Sequence, residues 1–230
     1  MRKIKIDSDL LKVCPTMQLG CIQYSVDVEK GSPELWGEIN KQAAIIAESL
    51  SMEDINKLKN IEDSRKLYKA IGKDPYRYRI SSEALIRRIL QGKGLYKINN
   101  VVDANNLISI MSKFSVGSYD VDKLGYDLRF RIGRKDESYK GIGKETINTE
   151  YLPVFADELG AYGSPTSDSE RAMITNNTKR VLTVLIAFSD QANLEEHLKD
   201  ATEILSKYVG ARDISTNISK AQKERDDEER

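Results

Sequence analysis

Arg79-Ile80-Ser81-Ser82-Glu83-Ala84-Leu85-Ile86-Arg87-Arg88 reads as the opening of an amphipathic helix. Leu85, Ile86, Ile89 and Leu90 recur at helical spacing and turn inward, while Arg87 and Arg88 turn away. Glu83 lies in the first turn, where a negative charge favours the helix dipole. Gly92 and Gly94 end this helix, and beyond the break comes Ile98-Asn99-Asn100-Val101-Val102-Asp103-Ala104-Asn105-Asn106. Asn100 is expected to cap a second helix with Val101, Val102, Leu107, Ile108 and Met111 as its core stripe. Val116-Gly117-Ser118-Tyr119-Asp120 then sets a hydroxyl, a phenol and a carboxylate behind a glycine at a strand end.

Toward the N-terminus, Met1 to Asp7 reads as an opening strand, and Gly20 to Val28 alternates with Ile22, Tyr24, Val26 and Val28 on one face. Ser32-Pro33 starts a helix carrying Leu35, Trp36, Ile39, Ala43, Ile46, Ala47 and Leu50. Ser51 and Asn60 are placed as caps of two shorter helices, and Asp74-Pro75 breaks the chain. No flexible linker intervenes, so residues 1–72 read as a layer completing one fold with residues 73–210. Toward the C-terminus, Asp127–Ile132 is a half-exposed strand, and Val154–Asp157 and Val181–Phe188 are buried ones. Residues 192–208 form an amphipathic helix, and residues 211–230 read as a charged tail, frayed or disordered from Ser219 onward.

The chain has 230 residues, 40% of them apolar, which is enough for a sizeable core. Lys plus Arg and Asp plus Glu both number 36, so any basic surface is local. The longest apolar run, Val181–Phe188, is too short to span a bilayer, and no charged-then-apolar leader opens the sequence. Cys14 and Cys21 are too few for a disulfide scaffold and read as reduced thiols of a cytoplasmic protein. With one histidine, His197, on the C-terminal helix, a Ser-His or Cys-His catalytic pair and a metal site built on several His or Cys ligands are excluded. No phosphate-cradling loop and no nucleophile elbow is present, and no cofactor is implied.

Taken in order and at their spacing, the three opening segments resemble the B3/4 domain, the tRNA-editing module of the phenylalanyl-tRNA synthetase beta subunit. They look closer still to stand-alone proteins of that kind. The resemblance covers roughly Asp74 to Ser189. It implies an α+β, layered single domain with mixed sheets and flanking helices. It also implies a pocket for a misattached amino acid, lined by an asparagine at the position resembling Asn106 and by the segment resembling Leu159-Gly160. The synthetases carry a histidine where this chain has Gly117 or Ser118. They also carry a glutamate in the last buried strand, where this chain offers Thr183 as its only polar residue within Leu182–Leu185.

Three polar sets could carry chemistry. The first is Asn99, Asn100, Asp103, Asn105 and Asn106, in which Asn100 with Asp103 reads as helix capping and Asn106, one turn beyond Asp103, could aim an amide into a pocket. Gly117, Ser118, Tyr119 and Asp120 form a pocket lip or an ordinary turn. Asp157, Gly160 and Asp168 belong to the densest polar cluster, in which paired carboxylates could share acid and base work or Asp157 could simply pair with Arg171. Arg77, Arg79, Arg87, Arg88, Lys93 and Lys97 collect with interleaved tyrosines and suit either phosphate contact or a solvated face. Two functions stay open. One is recognition of an amino acid or aminoacyl-tRNA, as a free-standing editing hydrolase of mischarged tRNA in which a positioned water cleaves the ester. The other is a non-catalytic binding protein for an amino-acid-like small molecule, without RNA contact.

Overall fold

The second half of the chain lays down the strands between which the first half inserts. The computed structural model describes residues 1–190 and 193–221. In chain order the elements are β1 (Lys5–Ile6), α1 (Ser8–Val13), β2 (Gln18–Ser25), α2 (Pro33–Ser49), α3 (Lys59–Ala70), α4 (Ser81–Leu90) and α5 (Asn100–Ser112). They continue through β3 (Ser115–Asp120), β4 (Arg129–Ile132), β5 (Ser138–Lys140), β6 (Thr146–Asn148), β7 (Pro153–Asp157), β8 (Gly160–Gly163), β9 (Arg180–Ala187), α6 (Leu194–Val209) and β10 (Arg212–Lys220). One sheet runs β1-β4-β7-β8, a second runs β10-β2-β9-β3, and β5 with β6 makes a small hairpin. Among the described residues only β1 and β4 pair in parallel; the other strand pairs are antiparallel.

The layering follows from strand alternation. Directly opposed residues of antiparallel strands share a face, so Tyr119, Leu182 and Gln23 lie on one side with Gly117, Val184 and Cys21. That side meets the first sheet, where the Tyr119 ring packs 5.6 Å from Phe155 and 5.0 Å from Tyr162. Ser118, Thr183 and Ile22 lie on the opposite side, under helices. There the absent side chain of Gly20 lets Leu194 and Leu198 of α6 approach the sheet. β2 and β9 are therefore covered on both faces, and β9 from Val181 to Ala187 is buried without interruption.

Several helix ends are set by single side chains. The Ser32 hydroxyl accepts from the Leu35 amide at 3.1 Å in front of Pro33. At α5 the cap is Asn99, one residue earlier than expected, with its side chain accepting from Val102 at 2.9 Å. Asn100 instead stitches α5 to the segment after β2, donating to the Asp27 carbonyl at 3.0 Å and accepting from the Glu29 amide at 3.1 Å. Asn60 is no cap either. Buried within α3, it donates to the Ile186 carbonyl at 3.0 Å and accepts from the Phe188 amide at 3.1 Å, prolonging the pairing of β9.

The expectation of a charged tail over residues 211–230 is corrected for its first half. Arg212–Lys220 is strand β10, in register with β2 from Ser215 opposite Gln23 to Lys220 opposite Gln18. Ile214, Thr216 and Ile218 supply the β-branched side chains of an edge strand whose remaining residues are polar. Residues 222–230, the rest of that tail, lie outside the described residues.

Candidate functional site

The expected pocket residues separate into three groups. Gly117, Tyr119 and Asp168 meet between the sheets, where the Tyr119 hydroxyl donates to Asp168 Oδ1 at 2.8 Å. A side chain at Gly117 or at Gly163 would run into that hydroxyl, so the two glycines clear the space that the phenol fills. Burial raises the Asp168 carboxyl to about 6, with the Tyr119 hydrogen bond opposing the shift. Burial likewise lifts Tyr119 and Tyr162 well above the usual phenol range. The Tyr162 hydroxyl is buried without a partner among the described residues.

Asp157 and Gly160 form the second group, and Arg171 ties it together. The Asp157 side chain is wholly buried, and Arg171 grips it bidentately at 2.9 and 3.0 Å. The amides of Gly125 and Leu159 donate to the same carboxylate at 2.8 and 2.9 Å. Arg171 also donates to the Gly160 carbonyl at 3.1 Å, with its guanidinium 5.5 Å from the Tyr162 ring centre. Each Asp157 oxygen thus accepts twice, which suits a structural anchor and leaves little capacity to hold a water.

Asp120 and Asn106 stand apart from both groups. Asp120 accepts from the Asp122 amide at 3.0 Å and the Thr178 hydroxyl at 2.8 Å, closing the turn after β3. Asn106 is half-buried, with no side-chain hydrogen bond among the described residues. Its neighbour Asn105, about 100° away around the helix, makes the contact with the sheet. Asn105 donates to the Val116 carbonyl at 3.0 Å and accepts from the Ser118 hydroxyl at 2.8 Å. Ser118 lies 2.8 Å from the Thr183 hydroxyl, which lies 3.2 Å from that of Tyr24. This relay crosses β3, β9 and β2 on the helix-covered face. Ser118 is the only residue of β3 that is not buried, and Asn105 is likewise half-buried, so the relay is partly exposed at its Asn105 end and closed at Tyr24. Asn105 was legible within the Asn-rich stretch, but spacing from Asp103 favoured its neighbour.

Half of the basic set is engaged. Glu83, buried in the first turn of α4, takes Arg87 at 2.7 Å and Arg65 at 2.9 Å. Arg88 lies 3.8 Å from the Tyr96 ring centre, and Lys97 lies 4.9 Å from that of Trp36. Arg77, Arg79 and Lys93 are exposed and form no ion pair among the described residues. Burial pushes the Cys14 thiol up to about 11 and the Cys21 thiol to about 12, so neither is a ready nucleophile. His197 sets its ring edge-on to Phe114, 5.0 Å between centres. Among the described residues no group of three or more His, Cys, Asp or Glu is gathered to hold a metal, and no helix is long and apolar enough to cross a membrane.

The model of the B3/4 domain family matches residues 63–210, well over half of the sequence. The chain belongs to the B3/4 domain family. The crystal structure of an N-terminal fragment of the phenylalanyl-tRNA synthetase beta-subunit from Pyrococcus horikoshii is one of 16 similar solved chains. Identity is 13% and the TM-score 0.47, over 96% of this B3/4 protein and 57% of that fragment. The B3/4 chain therefore spans little more than half the fragment's length. No curated protein matches it. The matched span begins inside α3, yet in this B3/4 protein β2, which precedes it, occupies the middle of the second sheet.

Proposed function

We propose that this B3/4 protein recognises an amino acid carried on tRNA, and that it is a free-standing editing hydrolase of mischarged tRNA in a reduced, cytoplasmic setting. The partly exposed Asn105–Ser118 end of the Asn105–Ser118–Thr183–Tyr24 relay carries this reading. An amide and three hydroxyls in one chain can both donate and accept, so they can orient the ammonium or carbonyl of an aminoacyl group and a water beside its ester. No side chain here is an activated nucleophile, which fits cleavage by a positioned water rather than through a covalent intermediate. Arg77, Arg79 and Lys93 remain free for phosphate contact.

The test is release of amino acid from a panel of mischarged tRNAs. Ser118→Ala and Asn105→Ala are each expected to slow release on the order of a hundredfold, the usual cost of one positioned hydrogen-bonding group. His197→Ala is expected to leave it unchanged. Loss of activity in His197→Ala with normal activity in Ser118→Ala would sink this assignment. The saturation of Asp157 favours a second reading, binding of an amino-acid-like molecule without turnover. Under it, Ser118→Ala weakens equilibrium binding of free amino acids while no tRNA is deacylated.

A further inference from the structure

A groove of about 740 Å³ runs along α3 and the turn that follows it. Arg65, Lys66, Lys69 and Lys73 line it, against the carboxylates of Glu62 and Asp74. Residues three and four apart share a helix face, so Arg65, Lys66 and Lys69 present their cations on one side. The groove has a fixed end. Arg65 is held by Glu83 at 2.9 Å and by Asn56 at 2.7 Å, and its guanidinium lies 5.2 Å from the ring centre of Tyr76. Tyr76 itself is 68% exposed, so its ring is open to solvent beside that guanidinium.

The cations differ in what they already hold. Lys66 is shared between Glu62 at 2.8 Å and Asp63 at 3.3 Å. Lys69 is exposed with no ion pair among the described residues, and Lys73 meets only the Tyr151 ring at 5.5 Å. Arg77 and Arg79 extend the same segment, also exposed and unpaired. Lys69, Lys73, Arg77 and Arg79 thus form a run of spare positive charge, with Glu62, already paired to Lys66, and Asp74 as the carboxylates lining the groove.

We infer that this groove holds the phosphodiester backbone of single-stranded RNA, with one unstacked base on Tyr76. It rests on the aminoacyl-tRNA reading only in taking RNA as the polyanion. Spare cations spaced along a groove match a backbone of repeated phosphates, and a guanidinium-backed aromatic ring matches a base with free faces. The cationic face is therefore α3 and the turn behind it, whereas the cations of α4 are already engaged, Arg87 by Glu83 and Arg88 by the Tyr96 ring.

The experiment follows the anisotropy of a fluorescein-labelled RNA of about ten nucleotides over a series of KCl concentrations. Binding should weaken linearly on a log–log plot, and Lys69→Glu with Lys73→Glu should cut the slope by at least about 1.4, two single-strand phosphates' worth. Tyr76→Ala should weaken binding about tenfold without changing the slope. A matched pair elsewhere, Lys41→Glu with Lys140→Glu, should leave the slope alone, and thermal midpoints should show that all variants fold. No binding at the lowest salt, an unchanged slope in the groove variant, or an equal effect of the control pair would overturn the inference. So would a polyglutamate peptide that competes as well as RNA. The two proposals fail separately. If the groove variant deacylates mischarged tRNA at full rate and affinity, the groove is refuted and the relay stands. If RNA binds as described but no mischarged tRNA is discriminated, the relay is refuted and the groove stands.

Discussion

At the scale of single residues, Asp168 makes the clearest quantitative demand on the fold. Burial beside Tyr119 raises its carboxyl from the ordinary 3.8 of an unfolded chain to about 6. Between those values the folded protein holds a proton that the unfolded chain has released, so stability falls as pH rises through that window and the loss is complete above it. Asp168→Asn removes the effect while keeping an acceptor for Tyr119. Denaturant unfolding should find the variant equal to the parent below the window and more stable above it, by at most about 3 kcal/mol. Arg171→Ala should act in the opposite sense. It strands a buried carboxylate, and a loss of about 3–5 kcal/mol is expected in the same measurement. The sequence made Tyr119 and Asp168 visible as polar residues at element ends, yet it could not show that they face each other across two sheets. Nor could it separate Asn105 from Asn106, because the rotation of a helix about its axis is fixed by packing and not by local composition.

Among elements, α3 shows how a polar residue can anchor rather than cap. Asn60 binds both a carbonyl and an amide at the end of β9. Asn60→Ala should leave both buried groups unpaired and cost about 2–4 kcal/mol in thermal or denaturant unfolding. A loss under half a kcal/mol, within the scatter of ordinary surface changes, would mean that water replaces the amide. The helices were legible from their periodic apolar stripes, and Ser32-Pro33 marked its start to the residue. β10 was not. Its alternation of Ile214, Thr216 and Ile218 is diluted by serine, asparagine and flanking charge, the composition of a strand half open to solvent. The bulge between Arg212 and Ser215, where Asp213 takes a positive φ of 52°, further disrupts the pattern.

For the molecule as a whole, the order β10-β2-β9-β3 sets what can be removed. A fragment limited to the family-matched residues 63–210 lacks β2 and β10 and leaves one edge of β9 unpaired along eight apolar-rich positions. Such an edge is a template for association. The fragment is expected to elute as aggregate in size-exclusion chromatography, and a monodisperse monomer would contradict this account. The mixed α+β class was legible because helical and strand periods alternate along the chain, but the insertion of β2 was not, since pairing across some 160 residues leaves no local trace. That long pairing bears on synthesis. Tyr24 opposes Val181, so as the chain leaves the ribosome its first long strand must wait, solvent-exposed or held by a chaperone, until nearly the whole sequence is made. Ile22, Tyr24 and Cys21 are then hazards before they are core, and the time between their synthesis and that of β9 is when the cell's quality control has most to do.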